Sequence, residues 1–235
     1  MPDTTFGTLY IVATPIGNLE DLSPRAVSVL AGVSFIACED TRRTGKLLKH
    51  LGISARMVSY HEHNEERSAS RIVSALTRGE DVAVVSDAGT PGVSDPAYRV
   101  IRAVLDVGGQ VVAVPGASAV LSALVVSGMP LDRFVFEGFL PPKGAKRRGR
   151  LESLAEEPRT IVLYESPYRI AALLESIAEV FGADREISVS REMTKLHEET
   201  VRGSAAEVHA LLRERKPRGE YTIVIRGTGT RKGAV

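Results

Sequence analysis

Acidic and basic side chains follow two short apolar runs of the sequence, and they are the first candidates for chemistry. Asp40 and Arg42 come directly after the run that ends at Cys38, and Asp87 follows the run that ends at Ser86. A guanidinium at Arg42 can hold a phosphate through two parallel hydrogen bonds, and the carboxylates can accept a proton. Two plainer interpretations stay open: Asp40 as an acidic residue at a helix N-terminus, and Asp87 as a turn-ordering side chain. We favour a substrate or catalytic role for all three.

The segment from residue 61 to residue 65 carries two histidines at alternate positions. Alternate side chains of an extended chain point to the same side, which is one way to start a metal site. Metal sites need further ligands, and the other three histidines show no matching pattern, so we expect no metal. We predict instead that His61 contacts the substrate or takes part in catalysis. A helix-capping loop around Asn64 is the alternative.

A short segment of the second half is strongly basic. Its five cations lie within eight residues: Lys143, Lys146, Arg147, Arg148 and Arg150. One interpretation is an exposed helix start, but a helix N-terminus is an unfavourable place for positive charge. We therefore predict a phosphate-binding surface, which contributes affinity without reading sequence.

Short buried strands alternating with amphipathic helices position these residues. Continuous apolar runs indicate strands that are covered on both faces. The first half has five predicted strands, Leu9–Ala13, Phe35–Cys38, Met57–Tyr60, Val82–Ser86 and Val111–Val114. Helices are predicted after the N-cap Ser23, over Lys46–Leu51, from the capping Asn64 to Gly79, and over Pro96–Val107. The alternation predicts a mostly parallel sheet.

The second half begins with an apolar stretch after Gly116. Its predicted strands and helices are Thr160–Tyr164, Pro167–Phe181, Ile187–Ser190, Ser204–Arg213 and Tyr221–Ile225. A boundary at Pro115-Gly116 gives two domains, 1–115 and 116–235. The tail from Gly227 is predicted to be frayed.

Ligands of open α/β sheets bind beyond the carboxyl ends of the strands. Three predicted loops at that edge are rich in turn residues: Thr14–Leu19, Asp87–Pro96 and Pro115–Ala119. Glycine lets the backbone approach a ligand closely, and proline stiffens the loop around it. A single such loop is an ordinary tight turn, but three at one edge favour a shared small-molecule pocket.

Composition limits the class of protein. The chain has 235 residues, 43% of them hydrophobic, and a net charge of +1, which excludes wholesale disorder and nucleic-acid binding by bulk charge. Cys38 is the only cysteine, so we predict no internal disulfide and a reducing, cytoplasmic location. No apolar window reaches 18 residues and the first seven residues do not resemble a signal peptide, which predicts a soluble protein without a membrane partner.

Common phosphate-binding and nucleophile motifs are absent. Gly45-Lys46 lacks the other residues of a Walker A loop, the loop after the first strand has one glycine, and Ser118 is not in a nucleophile elbow. A nucleotide-like ligand held by backbone and hydroxyl groups stays open, and S-adenosylmethionine fits that description.

Eight segments stand in one order along the chain: Leu9–Ser23, Glu39–Arg42, Tyr60–Glu65, Ser86–Pro96, Val114–Ser118, Tyr164–Pro167, Arg191–Lys195 and Gly219–Tyr221. In sequence and order they closely resemble the family of ribosomal RNA small subunit methyltransferase I. The resemblance implies a two-domain α/β fold of the tetrapyrrole-methylase type, with a mostly parallel N-terminal sheet flanked by helices and a mixed C-terminal sheet with helices. It also implies S-adenosylmethionine bound in the cleft between the domains, and usually a homodimer.

The reaction that the resemblance implies is methylation of the ribose 2′-OH of a cytidine in the decoding region of 16S rRNA, within the small ribosomal subunit. By the same resemblance, cofactor contacts are expected at Pro15, Ile16, Thr90, Val93, Ser118, Ala119, Tyr164, Met193, Glu220, Tyr221 and Thr222. Lys195, beside Glu198 and Glu199, would otherwise be interpreted as part of a solvated charge cluster, but its matching segment favours a catalytic role. The basic segment becomes the expected RNA contact.

A sulfonium donor carries an already activated methyl group, so alignment of the attacking oxygen supplies most of the catalysis, up to about 7–11 kcal/mol. A general base adds about 10²–10⁴-fold. Its candidates are Asp40, His61, Glu62, His63, Glu65, Asp87, Lys195 and Glu199. Two other functions stay open: a methylase of the same fold that acts on a tetrapyrrole, which the basic segment disfavours, and a cofactor-binding or ribosome-assembly factor without catalysis.

Overall fold

A computed structural model of the chain describes residues 6–216 and 218–229. Contacts divide the chain into two compact units, Met1–Ser118 and Ala119–Val235. Each unit is built around one five-stranded sheet.

The sheet of the first unit is entirely parallel, with strand order β3-β2-β4-β1-β5. Its elements in chain order are β1 (Thr8–Val12), a 3₁₀ turn (Leu19–Asp21), α1 (Pro24–Gly32), β2 (Phe35–Cys38), α2 (Thr41–His50), β3 (Met57–Ser59), α3 (Glu65–Thr77), β4 (Val82–Val85), α4 (Tyr98–Asp106) and β5 (Gln110–Val114). Alternate side chains of the central strands enter two separate apolar clusters, one containing Leu9 and Val84 and the other Val12 and Val85. Burial on both faces explains why these strands are continuous apolar runs.

The sheet of the second unit is mixed, with strand order β6-β7-β10-β8-β9. Its elements are α5 (Ala119–Ser127), β6 (Phe134–Phe139), α6 (Gly144–Leu154), β7 (Thr160–Glu165), α7 (Ile170–Phe181), β8 (Glu186–Arg191), β9 (Glu199–Ser204), α8 (Ala205–Leu212) and β10 (Tyr221–Ile225). Only the β6–β7 pair is parallel, and the other three pairs are antiparallel. The predicted fold class, a mostly parallel first sheet and a mixed second sheet with helices, is confirmed.

Several predicted helix ends are confirmed by their geometry. The Ser23 hydroxyl accepts a hydrogen bond from the backbone N–H of Ala26 at 3.1 Å, and Pro24 opens α1. Gly52 and Gly79 follow α2 and α3 with φ of +68° and +81°, a backbone conformation that glycine adopts without strain.

Other expected boundaries are wrong. The helix α2 starts at Thr41 rather than Lys46, because Asp40 caps it by accepting a hydrogen bond from the Arg42 backbone N–H at 2.8 Å. Asn64 stands at the N-cap of α3, but its side chain makes no capping bond to that helix. The strands β6 and β9 were not predicted, since both lie at sheet edges and neither is a continuous apolar run.

The start of the tail is ordered, not frayed. The backbone N–H groups of Thr228 and Gly229 donate to the carbonyls of Glu157 and Pro158 at 2.9 and 3.2 Å. The rest of the tail, 230–235, lies outside the described residues. Across the described ranges, no helix combines the length and the apolar character that a membrane span requires.

Candidate functional site

The three turn-rich loops of the first unit are joined to one another by hydrogen bonds. Thr14 and Gly89 exchange two backbone hydrogen bonds of 2.9 and 3.0 Å, and the Thr14 hydroxyl donates to the carbonyl of Ser86 at 3.1 Å. The Thr90 hydroxyl donates to the carbonyl of Ala117 at 3.3 Å. The loops after β1, β4 and β5 therefore form one continuous structure at the carboxyl edge of the sheet.

Glycine is required where these loops come closest. Gly89 has φ of +85°, and a Cβ built on it would lie 3.3 Å from Cγ2 of Ile16 and 3.7 Å from the carbonyl oxygen of Ala117. A Cβ on Gly116 would lie 3.0 Å from Cβ of Ala13. The loops thus meet backbone to backbone, which leaves main-chain groups at the edge of the sheet.

The structure places the predicted cofactor residues of the first unit on this joined edge. All of them are partly exposed: Pro15, Ile16, Thr90, Val93 and Ser118. Backbone, hydroxyl and small apolar groups of this kind suit a nucleoside-like ligand. Ala119, the last predicted contact of this loop, begins α5 of the second unit.

A small cavity opens between the first loop and α2. Its volume is about 250 Å³, and its lining includes Thr14, Pro15, Arg43, Thr44 and Asp87. The cavity therefore lies beside both the joined loops and the charged groups at the start of α2.

Those charged groups come from two neighbouring strands, β2 and β4. The backbone N–H of Asp40 donates to Oδ1 of Asp87 at 3.1 Å, and Arg43 forms an ion pair with Asp87 at 3.3 Å. Nε and Nη2 of Arg42 donate to the two carboxylate oxygens of Asp40 at 3.1 and 2.8 Å. The hydrogen bonds from Arg42 lower the pKa of Asp40 to about 2, so this carboxylate is a very weak base.

Asp40 caps a helix, as the plainer sequence interpretation expects, and its substrate or catalytic role stays a prediction. Arg42 is 87% exposed, so its guanidinium is accessible although Asp40 already holds one side of it. Asp87 connects the loop after β4 to the start of α2, which makes it a positioning residue for Asp40.

Two carboxyl groups of this cluster were not among the predicted site residues. Burial raises the pKa of Asp95 to about 6, and the negative charges of Glu39 and Asp87 act in the same direction while a hydrogen bond with Ser86 opposes them. Burial also raises the pKa of Glu39, again helped by Asp87. Both residues lie inside segments that carry the family resemblance. Glu39 directly follows β2, so the strand-end signal was present for it, whereas Asp95 lies deep in a loop without that signal.

His61 lies in the loop after β3, close enough to Glu39 for its charge to affect that carboxyl. Asn64 orders this loop by accepting a hydrogen bond from the His61 backbone N–H at 2.9 Å and donating to the carbonyl of Ser59 at 3.2 Å. Nδ1 of His61 is buried, and no described residue bonds to it. The structure therefore brings three predicted catalytic residues, Asp40, His61 and Asp87, to the carboxyl ends of three adjacent strands.

In the second unit, strand register decides which predicted cofactor residues share a face. Tyr164 and Thr222 are cross-strand partners, and Ser190 and Thr200 continue the same row across the sheet. The face of this row packs against α5. Tyr221 points to the opposite face and is buried in the apolar cluster with α6, α7 and α8, so its side chain cannot contact a ligand beside Thr222. The side chain of Tyr221 therefore belongs to the core, and the cofactor contact expected at this residue stays a prediction.

Lys195 lies in the turn between β8 and β9 and joins two carboxylates. Its Nζ is 2.8 Å from Oε1 of Glu192 and 2.9 Å from Oε2 of Glu220. Burial lowers the pKa of Lys195, but the two carboxylates outweigh it and the pKa lies above its ordinary value. Lys195 is therefore a cation and not a general base. Met193 is buried in the same turn, whereas the side chain of Glu220 is 75% exposed.

The basic segment forms the start of α6, but its five cations are not equivalent. Arg148 pairs with Glu152 and Glu179, and Arg150 forms two hydrogen bonds of 2.7 and 2.8 Å with Glu137. The guanidinium of Arg147 donates to backbone carbonyls. Among the described carboxylates, none lies within ion-pair distance of Lys143 or Lys146. The phosphate-binding surface expected from all five cations thus has three candidates left: Lys143, Lys146 and Arg147.

Comparison with known proteins identifies relatives over nearly the whole chain. The family model of tetrapyrrole (corrin/porphyrin) methylases matches residues 8–209. A protein named ribosomal RNA small subunit methyltransferase I from Synechocystis is 48% identical over 221 residues, which are 94% of this chain and 79% of that protein. The protein of the same name from Bacillus subtilis is 46% identical over 94% of this chain and 76% of its own length.

Solved structures share the fold at much lower identity. A cobalt precorrin-4 methyltransferase superposes with a TM-score of 0.68 at 16% identity, covering 96% of this chain and 97% of that one. A uroporphyrin-III C-methyltransferase from Thermus thermophilus gives 0.64 at 21% identity, covering 95% and 96%. The fold is thus that of the tetrapyrrole methylases. The chain is also 46–48% identical to two bacterial relatives over most of their length, which identifies its family within this fold. The chain belongs to the family of ribosomal RNA small subunit methyltransferase I, within the tetrapyrrole methylases.

Proposed function

We propose that the chain is an S-adenosylmethionine-dependent methyltransferase that methylates the ribose 2′-OH of a cytidine in 16S rRNA. Family membership supports methyl transfer to small-subunit rRNA. The structural observation that carries the proposal is the Thr14–Gly89 pairing, which joins turn-rich loops at the sheet edge next to the charged groups of Asp40 and Asp87. A donor site and a substrate site can therefore be neighbours within one unit.

The joined loops are the proposed donor site. Pro15, Ile16, Thr90 and Val93 would supply apolar contacts, backbone groups and one hydroxyl. When bound, S-adenosylmethionine supplies an activated methyl group. The glycine at position 89 lets the loops pack closely, since a Cβ there would crowd Ile16. Contributions from Ser118, Ala119, Tyr164, Met193, Glu220 and Thr222 stay part of the proposal.

Asp40, Arg42 and Asp87 are proposed to position the RNA. Arg42 is exposed and can rotate from Asp40 to an RNA phosphate, which accepts the same fork of hydrogen bonds. Asp87 fixes the backbone of Asp40 and thereby the start of α2. Correct placement of the ribose oxygen is the largest contribution that these residues can make.

Asp95 is the best candidate for the base that accepts the hydroxyl proton. A pKa of about 6 leaves it mostly ionised at pH 7.5 and still far more basic than Asp40, whose pKa is about 2. Glu39, whose pKa is also raised, lies in the same cluster and can hold the proton next. Lys195 is proposed to act as a fixed positive charge in the second unit.

We further propose that the chain works in the cytoplasm as a homodimer and takes the assembled small subunit as its substrate. The cations Lys143, Lys146 and Arg147 are proposed to contact the RNA backbone.

The test is transfer of a labelled methyl group from S-adenosylmethionine to purified small ribosomal subunits. Label at a cytidine ribose is the expected result, and label on the base, or none, contradicts the proposal. The variant Asp40→Asn keeps the helix cap but removes the charge, since asparagine is an equally good N-cap residue. It and Arg42→Ala should lose transfer while the affinity for S-adenosylmethionine, measured by calorimetry, stays within about twofold of wild type. A large loss of cofactor affinity would place these residues in the donor site instead.

A further inference from the structure

The helix α2 lies in a long stretch of sequence that has no acidic residue. Residues 41–61 contain five lysines and arginines and no aspartate or glutamate, although the whole chain has a net charge of only +1. The rest of the chain is therefore net negative. Positive charge that is concentrated in one segment produces a strong local field even in a nearly neutral protein.

The cations of α2 share one side of the helix. At about 100° per residue, four exposed side chains fall within an arc of about 120°. Thr44 and Leu48 lie on the opposite side and are buried. We call the exposed side the cationic face of α2, and its members are Arg42, Arg43, Lys46 and Lys49.

The stability of the helix does not account for these charges. Arg42 and Arg43 occupy the first turn of α2, where the helix dipole makes cations unfavourable, and ion pairs with carboxylates of the candidate site hold them there. Within the described residues, no carboxylate lies within ion-pair distance of Lys46 or Lys49. Lys49 lies in the last turn, where the dipole favours a cation, but Lys46 lies in the middle and gains nothing from either end.

The cationic face borders the candidate site of the first unit. Arg43 and Lys46 line the cavity of about 250 Å³ whose lining also includes Pro15 and Asp87. At about 1.5 Å per residue, the face extends about 10 Å along the helix axis. A polyanion that lies along this face would therefore pass the opening of the cavity.

We propose that the cationic face of α2 binds the phosphate backbone of RNA and guides the neighbouring ribose into the cavity beside Asp87. A chain of phosphates complements a row of cations, and such contacts position a nucleic acid without reading its sequence. An acidic polypeptide is the other polyanion that fits the face, but the adjoining cavity favours RNA, since its lining suits a nucleoside-like group. The inference rests on the proposed function, because it names the surface of the first unit that would hold the RNA.

The test measures the affinity for a short single-stranded oligoribonucleotide as a function of salt concentration. The double variant Lys46→Ala with Lys49→Ala removes two exposed cations and keeps a good helix former at both positions. If each lysine contacts one phosphate, the slope of log affinity against log salt concentration should become less steep by about 1.4 units. A tenfold dilution of the salt should then strengthen RNA binding by the variant about 25-fold less than binding by wild type.

The matched control is the double variant Arg67→Ala with Arg71→Ala. It removes two exposed cations that lie one turn apart on α3, a helix of the same unit that begins with Glu65 and Glu66. The net charge of the protein changes by the same amount, so the control separates a local contact from bulk charge. The control should keep the wild-type slope.

Three results would overturn the proposal: equal slopes in the two double variants, no binding of the oligoribonucleotide by wild-type protein, or polyglutamate binding to wild type as tightly as the RNA. Methyl transfer to small subunits is measured in parallel. Loss of Lys46 and Lys49 should raise the KM for the subunit, and an unchanged KM would contradict the guiding role. Binding that depends on the two lysines without transfer by wild type would refute the proposed function and keep the RNA surface. Transfer by wild type with equal slopes in the two variants would do the reverse.

Discussion

Replacing Asp95 by asparagine should stabilise the protein at neutral pH. The folded carboxyl has a pKa of about 6, against an ordinary value of 3.8, chiefly because it is buried. The folded state therefore holds this proton more tightly than the unfolded chain does. As the pH rises from about 4 to about 6, the unfolded chain ionises first and the free energy of unfolding falls. Above about pH 6 the whole penalty is present.

The size of the effect follows from the shift. About two pKa units correspond to about 3 kcal/mol for a group shielded from water. Asp95 is partly exposed, so solvent screening reduces the expected gain to about 1–2 kcal/mol at pH 7.5. Asparagine has the same shape, carries no charge, and can still bond to Ser86. The same variant cannot accept a proton, so methyl transfer should fall about 10²–10⁴-fold.

The assay is urea denaturation of the protein without cofactor at pH 7.5 and pH 4.5. The gain in unfolding free energy should be present at pH 7.5 and should shrink at pH 4.5. Asp132→Asn is the control, because Asp132 is 73% exposed and should show no pH-dependent difference. An equal gain at both pH values, or a loss of stability at pH 7.5, would refute the electrostatic reasoning. Undiminished transfer would refute the assignment of the base.

Three further predictions test other parts of the structure. Gly89→Ala and Gly108→Ala both place a side chain at positive φ, so each should lower the free energy of unfolding by about 1 kcal/mol. Only Gly89→Ala should weaken the binding of S-adenosylmethionine, measured by calorimetry. Gly108→Ala is the control, because a Cβ on Gly108 would meet open space. Lys146→Ala should lower the slope of log affinity for RNA against log salt concentration by about one unit. Arg148→Ala should leave this slope unchanged, since Arg148 is already paired with carboxylates. Equal slopes in the two variants would contradict this prediction. Lys195→Met should lower the free energy of unfolding by less than about 1 kcal/mol at pH 7.5, measured by thermal or urea unfolding. This loss should fade as the pH falls below the ordinary pKa range of a carboxyl, because the partner carboxylates then lose their charge. A loss that is the same at every pH would contradict the prediction.

The central strands of the first sheet, β1, β2 and β4, could be predicted because they are buried on both faces. Their sequences are continuous apolar runs, and a run of this kind needs no knowledge of its neighbours to be recognised. The strands β6 and β9 lack that signal. The strand β6 is interrupted by a bulge at Gly138, and β9 is a partly exposed edge strand of sequence Glu-Thr-Val-Arg-Gly-Ser. The strands β6 and β9 can therefore be recognised only from the strands they pair with, and not from their own sequences.

The candidate site shows the same division between local and long-range information. Asp40, His61 and Asp87 follow predicted strands, so the rule that ligands bind at the carboxyl edge found them. Asp95 has a raised pKa chiefly because it is buried, and the charge of Glu39, far away in the chain, adds to the shift because β2 and β4 are adjacent in the sheet. No local pattern reveals that contact.

Strand geometry limits how Tyr221 and Thr222 can contact a ligand. Neighbouring residues of a strand point to opposite faces, so the Tyr221 and Thr222 side chains cannot both contact one ligand. The register with β7 and β8 shows that Thr222 lies on the face shared with Tyr164, whereas Tyr221 lies in the core.

The contacts of Asp87 link the shape of the site to its basicity. Its Oδ1 accepts the backbone N–H of Asp40 and so fixes the start of α2, while its charge raises the pKa of both Glu39 and Asp95. Arg43 pairs with Asp87 only at 3.3 Å and is itself 66% exposed, so it neutralises the cluster incompletely. Three carboxylates held this close destabilise the fold, and the hydrogen bonds that join the loops after β1, β4 and β5 oppose that repulsion. Burial raises the pKa of Asp95 most, and this weakly compensated acidic cluster raises it further, toward the basicity that the proposed proton transfer requires at neutral pH.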